Sequence, residues 1–206
     1  MKKENIYPLI CLIFLVFLIA FSIIKPIHMT SWMLENVPFI VAIFFLILIF
    51  LYKKLRLSNT AYTLTLLFIA FHLVGVFFGW QNVPFTKPLM EIFNLSTNPY
   101  DAIVHFLSGL LLYYPVLEVY LKLSKTKEKI WFTYLMPAII LIAFGAIYEV
   151  YEWICAVNVN ADLAASFLGT GGDIWDAQSD LLCNTLGGFT SGIFFYLRNK
   201  FQKKEK

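Results

Sequence analysis

Six apolar runs separated by shorter polar intervals divide the 206-residue chain. Each run is near the roughly 20 residues that an α-helix needs to cross the hydrocarbon core of a bilayer. They predict spans at about 7–24, 37–52, 60–80, 101–121, 131–155 and 173–197, the second being the shortest. Lys25-Pro26 closes the first span, Lys53, Lys54 and Arg56 end the second, and Pro115 predicts a kink in the fourth. No polar stretch is long enough to fold separately, so the predicted fold class is all-α: one membrane domain over residues 1–206, a bundle of six transmembrane helices. The two longest intervals, 81–100 and 156–172, carry patterns of their own. Residues 83–95 mix Phe85, Leu89, Ile92 and Phe93 with Lys87 and Glu91, which predicts a segment lying in the headgroup region. Residues 160–168 predict a short surface helix begun by an Asn160 cap. Trp80, Trp153 and Trp175 fall near the same ends of their helices, as an interfacial aromatic belt requires.

Composition agrees with this pattern. Hydrophobic residues make up 60% and charged residues 14%, with a mean hydropathy of +0.74, which excludes an ordinary soluble domain. The charges also orient the chain. With six spans, 14 of the 16 Lys and Arg fall on the side holding both termini and the second and fourth loops, leaving only Lys25 and Lys87 opposite. The positive-inside rule then predicts a multi-pass cell-membrane protein with N- and C-termini in the cytoplasm. The net charge of +3 is accounted for by these flanks, so no nucleic-acid partner is expected. The basic C-terminal tail suits an anchor at anionic lipid. Met1-Lys2-Lys3 and the apolar run behind it read as an uncleaved first helix, since no small-x-small cleavage site follows. Cys11, Cys155 and Cys183 show no metal or disulfide spacing and read as small buried hydrophobes.

The chemistry gathers in the last three spans. At about 100° per residue, Asp173, Asp176, Asp180, Asn184, Gly187 and Ser191 occupy an arc of roughly 80° on the sixth. Carboxylates facing lipid are costly, so this face is expected to look into the protein or a water-filled cavity. His105, Glu149 and Asp180 each lie roughly 9 to 11 Å outward from the midplane of their own spans, at one level. Asp101 stands one turn above His105, Glu152 three residues beyond Glu149, and Asp173 and Asp176 above Asp180. Six carboxyls and one imidazole thus share the outer half of the membrane with no intramembrane Lys or Arg to neutralise them. Confined acids cannot all ionise without a cation, so they must be protonated, hydrated or metal-bound.

Asp101, His105, Glu149, Glu152, Asp173, Asp176 and Asp180 are therefore the candidate metal ligands, with Asn184, Ser108 and His72 in support. Oxygen donors with one imidazole suit a hard or borderline divalent cation such as Mg²⁺, Ca²⁺, Mn²⁺ or Zn²⁺ as cofactor. Simpler roles stand beside this one. Thr170-x-x-Asp173 fits a capping box, acids in a helix's first turn are favoured by its free amides, and Asp101 after Pro99-Tyr100 fits a cap. Capping explains neither Asp180, two turns in, nor Glu149 and Glu152 at a helix's C-terminal end. His105 fits a ligand or a hydrogen-bonded core residue, while the deeper His72 suits a structural role. Glu118 is expected to face interfacial water or Lys122 at i+4. Gly188-x-x-x-Gly192 suits close helix packing.

The segments Tyr100-Asp-Ala-Ile-Val-His105-Phe-Leu-Ser-Gly, Tyr148-Glu-Val-Tyr-Glu-Trp153 and Phe167-Leu-Gly-Thr-Gly-Gly-Asp-Ile-Trp-Asp-Ala-Gln-Ser-Asp180 resemble the YjdF-like family of uncharacterised bacterial inner-membrane proteins. That resemblance covers most of the chain from about Phe71 onward and includes His72-x-x-Gly75 with Val83-Pro84. A weaker resemblance runs to VanZ-like membrane proteins, through Asp101 with His105-Phe106, Glu149 or Glu152, and Asp180, Asn184 and Gly187. Gly171-Gly172 stands where those proteins usually carry Arg. Both resemblances imply a membrane architecture and the location of a site, and neither implies a particular reaction.

Three functions fit these residues. One is an outer-leaflet site that binds a divalent cation and acts on a lipid or cell-envelope precursor. Another is a cation- or proton-coupled transporter, and the third a non-catalytic membrane component with a buried acidic network. No phosphate loop, nucleophile elbow, zinc spacing or dinucleotide motif is present, so catalysis is left open.

Overall fold

A computed structural model of the protein describes residues 6–24, 26, 29–124, 130–168 and 173–202. Among them the regular structure is wholly helical: α1 (Ile6–Ser22), α2 (Met29–Leu51), α3 (Asn59–Phe78), α4 (Lys87–Phe93), α5 (Tyr100–Leu123), α6 (Ile130–Val157), α7 (Ala161–Leu168) and α8 (Asp176–Gln202), with two short 3₁₀ turns between α3 and α4. α2, α3, α5 and α6 are each long and apolar enough to cross a membrane, and α1 is a shorter apolar helix of 17 residues. α8 has the length, 27 residues, but carries the acids of its first turns and the basic residues of its last. Lipid-type exposure is plain on the outer faces, where Ile13, Phe17, Ile40, Phe144 and Ile147 are all exposed.

Two helix starts and one cap differ from the sequence expectation. α2 begins at Met29, not near Val37, and runs through Pro38. Its first turns stay helical because Asn36 Nδ2 donates to the Trp32 carbonyl at 2.7 Å and Trp32 Nε1 donates to Ser22 Oγ at 3.1 Å. α8 begins at Asp176 rather than Asp173, whose carboxylate accepts the Trp175 amide at 2.8 Å in a turn ahead of the helix. Thr170, the other half of the expected capping box, lies outside the described residues. Asp101 does not cap α5, whose cap position is Pro99.

Other local expectations hold. Asn160 Oδ1 accepts the Leu163 amide at 2.9 Å and starts α7. The 83–95 segment contains a short helix, α4, on which Ile92 and Phe93 are exposed. Glu118 pairs with Lys122 at 2.9 Å and also accepts the Ser58 amide and hydroxyl, tying the start of α3 to the end of α5. The three cysteines are free of disulfides, as their spacing implies, but each is only half-buried, not fully buried as expected. Trp153 and Trp175 are exposed, but Trp80 leaves the expected aromatic belt: it is buried, packed in a core with Phe68, Leu73, Val76 and Tyr100.

α5 and α8 form the most extensive contact in the bundle, and small residues make it possible. A methyl group on Gly109 would collide with the Asn184 carbonyl oxygen, and one on Gly187 with the Phe106 carbonyl oxygen, so the two backbones touch. Ser191 Oγ adds a hydrogen bond to the Leu110 carbonyl at 2.7 Å. Toward the other end, Tyr113, Leu117, Ala138 and Leu141 close the core between α5 and α6, with Phe195 of α8 stacked on Tyr113 at 5.8 Å.

Candidate metal centre

α5 begins, α6 ends and α8 begins at one end of the bundle, so residues remote in sequence meet there. Asp101 and His105, one turn apart on α5, face each other with Oδ1 and Nε2 at 3.6 Å. α8 brings Asp180 Oδ2 to 3.9 Å from the same Nε2, and α6 brings Glu149 Oε1 to 3.7 Å from Nδ1. Asp101, His105 and Asp180 each offer one ligand atom, and the three atoms lie within 4.8 Å of one another. Had Asp180, Glu149 and His105 stood on separate faces, the common pocket expected from the sequence would not exist.

These separations are informative. All exceed the length of an ordinary N–H···O hydrogen bond, about 2.7 to 3.2 Å. Two ligands bound at about 2.1 Å to one ion stand about 3.4 Å apart in tetrahedral geometry and about 4.2 Å apart when opposite. The two distances from His105 Nε2, 3.6 and 3.9 Å, fall between those limits, while the three ligand atoms together span up to 4.8 Å. The site is also rich in unmet acceptors: Asp180 Oδ2, Glu149 Oε1 and Asn184 Oδ1 are buried and have no hydrogen-bond partner. Buried polar atoms left in that state cost free energy, and three oxygens waiting for a donor or a cation are what a cation site needs.

Asn184 is aimed by its neighbours. Its Nδ2 donates to Ser108 Oγ at 2.5 Å, while that hydroxyl donates to the His105 carbonyl at 2.6 Å. The amide orientation is thus set from α5, which leaves Oδ1 turned toward Gly145 of α6, where a methyl group would stand 3.4 Å away. Asp176, one turn before Asp180, is partly buried, and Asp173 is exposed. Neither belongs to the group of converging ligand atoms.

Glu152 and His72 belong to an adjoining network that sequence reasoning missed in part. Its centre is Glu35 of α2, 1% exposed, which accepts Trp80 Nε1 at 2.7 Å and the Tyr148 hydroxyl at 3.2 Å. The buried Glu152 also hydrogen-bonds Tyr148, and Tyr151 reaches back to the Leu34 carbonyl at 2.7 Å. His72 stacks on Phe39 at 3.7 Å between ring centres, with Trp80 at 5.4 Å, and so sits in the core. The Tyr148 ring lies 6.1 Å from that of His105, which makes it the contact between the two polar groups. Glu35 escaped because the apolar pattern starts the second span at Val37. The available signal was Trp32-x-x-Glu35-Asn36, polar positions at helical spacing that continue the helix backward.

Fold and site together define a polytopic helical membrane protein with a buried acidic-histidine group. Comparison of the sequence narrows this: residues 7–201 match the family described as "Predicted membrane protein (DUF2238)", and the chain belongs to that family. It is 32% identical over 164 residues to the inner membrane protein YjdF of Escherichia coli (strain K12), a match covering 80% of this chain and 77% of that protein. No solved structure matches.

Proposed function

We propose that this chain is an inner-membrane protein of six spans, both termini in the cytoplasm, which binds a divalent cation in the acidic-histidine pocket on the outer-leaflet side. Asp101, His105 Nε2 and Asp180 hold the ion, Glu149 orients the imidazole from its Nδ1 side, Asn184 supports the site from α8, and Asp176 and Asp173 gather cations at the mouth. Glu152 and His72 support the pocket through the Glu35 network. The observation that carries this reading is the convergence of three ligand atoms within 4.8 Å beside three buried oxygens that nothing satisfies. A purely structural acidic network would pair its oxygens with donors, as the neighbouring Glu35 group does. One imidazole among oxygen donors favours Mn²⁺ or Zn²⁺ over Mg²⁺. Such an ion would polarise a phosphoryl or ester oxygen, and its depth in the outer half of the membrane suits the headgroup of a lipid or cell-envelope precursor as substrate.

Elemental analysis of protein purified at neutral pH and equilibrated with Mg²⁺, Mn²⁺ and Zn²⁺ tests the reading. One equivalent of metal per chain is expected, retained in Asp173→Asn and lost in Asp180→Asn. Folded wild-type protein that takes up no stoichiometric metal would overturn it.

A further inference from the structure

A second feature lies in the other half of the molecule. α1 packs on α3, α2 meets α3 and α7, and where α1 and α2 part a groove of about 290 Å³ opens between the three helices. Residues 8–15 of α1, 43–51 of α2 and 62–69 of α3 line it. Each stretch covers about two helical turns, so the groove is roughly 10 Å long and runs along the helix axes. Its walls are almost wholly apolar, as Leu12, Leu15, Ile47 and Ile69 illustrate, and the one hydroxyl on its α3 wall besides Tyr62, that of Thr65, is already bonded to the Ala61 carbonyl. The Tyr62 hydroxyl is buried there without a hydrogen-bond partner, a single polar atom where a buried water needs two to four. An apolar cavity of about 150 Å³ stays dry and takes up a benzene-sized guest, so this one has room for about twice that.

Two observations identify the occupant. α1 and α3 line the groove with their first turns and α2 with its last, so it opens at the end of the bundle where the α2–α3 turn lies. That turn carries Lys53 and Lys54, both exposed, two and three residues beyond Leu51 of the groove wall. The Arg56 guanidinium packs 4.6 Å above the Phe50 ring at the same mouth. A long apolar slot parallel to the helices with paired cations at its entrance matches one lipid chain below one anionic headgroup. We propose that this groove binds an acyl chain of an anionic phospholipid, with Lys53 and Lys54 holding its phosphate and the chain filling the gap between α1 and α2.

The test uses the full chain, extracted in mild detergent from vesicles of equal phosphatidylglycerol and phosphatidylcholine and weighed by native mass spectrometry. One phosphatidylglycerol per chain is expected, enriched at least about tenfold over phosphatidylcholine, an order of preference that two surface lysines provide. Lys53→Ala with Lys54→Ala should abolish the preference. Ile47→Trp, which fills the groove from α2, should abolish retention of either lipid; Leu12→Phe repeats this from α1 should the first variant not fold. Lipid that mirrors the vesicle composition, retention unchanged in a folded groove-filled variant, or a dimer that Ile47→Trp dissociates would each overturn the proposal.

Discussion

Gly187→Ala tests whether the proposed metal centre depends on the backbone contact between α5 and α8. The added methyl group collides with the Phe106 carbonyl oxygen and stands 2.8 Å from the Leu110 nitrogen, where ordinary contact begins at 3.4 Å. The nitrogen alone requires a retreat of 3.4 less 2.8, or 0.6 Å, and the carbonyl requires more. No flexible side chain is available to yield, because both obstacles are backbone atoms, so α8 must move as a unit. Asp180 lies two turns away on the same face of α8 and moves with it, while Asp101 and His105 stay on α5. Ligand distances tolerate only about 0.2 Å, so the expected loss of metal affinity is about 10- to 100-fold, with about 1 to 3 kcal/mol of overpacking strain. Gly188→Ala is the control: its methyl group meets the Ala138 Cβ at 3.6 Å, an ordinary contact, and affinity should be retained. Equilibrium dialysis with elemental analysis reads the affinity, and thermal unfolding by circular dichroism reads the stability. Wild-type affinity in folded Gly187→Ala, or equal loss in Gly188→Ala, would refute the reasoning.

Further outcomes follow from the same geometry. Ser108→Ala frees the Asn184 amide and should lower metal affinity by about 10-fold or more with the fold intact, again read by dialysis. Trp80→Phe leaves Glu35 Oε1 without its 2.7 Å donor and should cost about 1 to 3 kcal/mol, seen as a lower midpoint of thermal unfolding at unchanged metal stoichiometry. Metal binding must displace protons from the buried carboxylates, so affinity should rise with pH; dialysis showing it flat would count against these ligands. A fluorescent-protein fusion at the C-terminus should fluoresce and an alkaline-phosphatase fusion should be inactive, as a cytoplasmic terminus requires.

Much of this molecule is legible in its residues taken in order. Apolar runs near 20 residues can be stable only as membrane helices, so their existence needs no tertiary information. The placement of Asp101 and His105 on one face, and of Asp180 and Asn184 on another, follows from 3.6 residues per turn. What the chain in order does not carry is depth of burial and the identity of the neighbour. Trp80 and Glu35 each look like span-end residues, one interfacial and one in a loop; their mutual hydrogen bond, 45 residues apart, takes both into the core and extends α2 backward. Ser108 is one small polar residue among many until α8 approaches closely enough for Asn184 to reach it. That approach depends on Gly109 and Gly187 facing each other's helix, a relation between two faces that periodicity within one helix cannot supply. Composition and period determined which residues must avoid lipid. Only the packing of α5, α6 and α8 decided which of them share a centre, because distances across helices are set by the side chains that are absent at the contact as much as by those present.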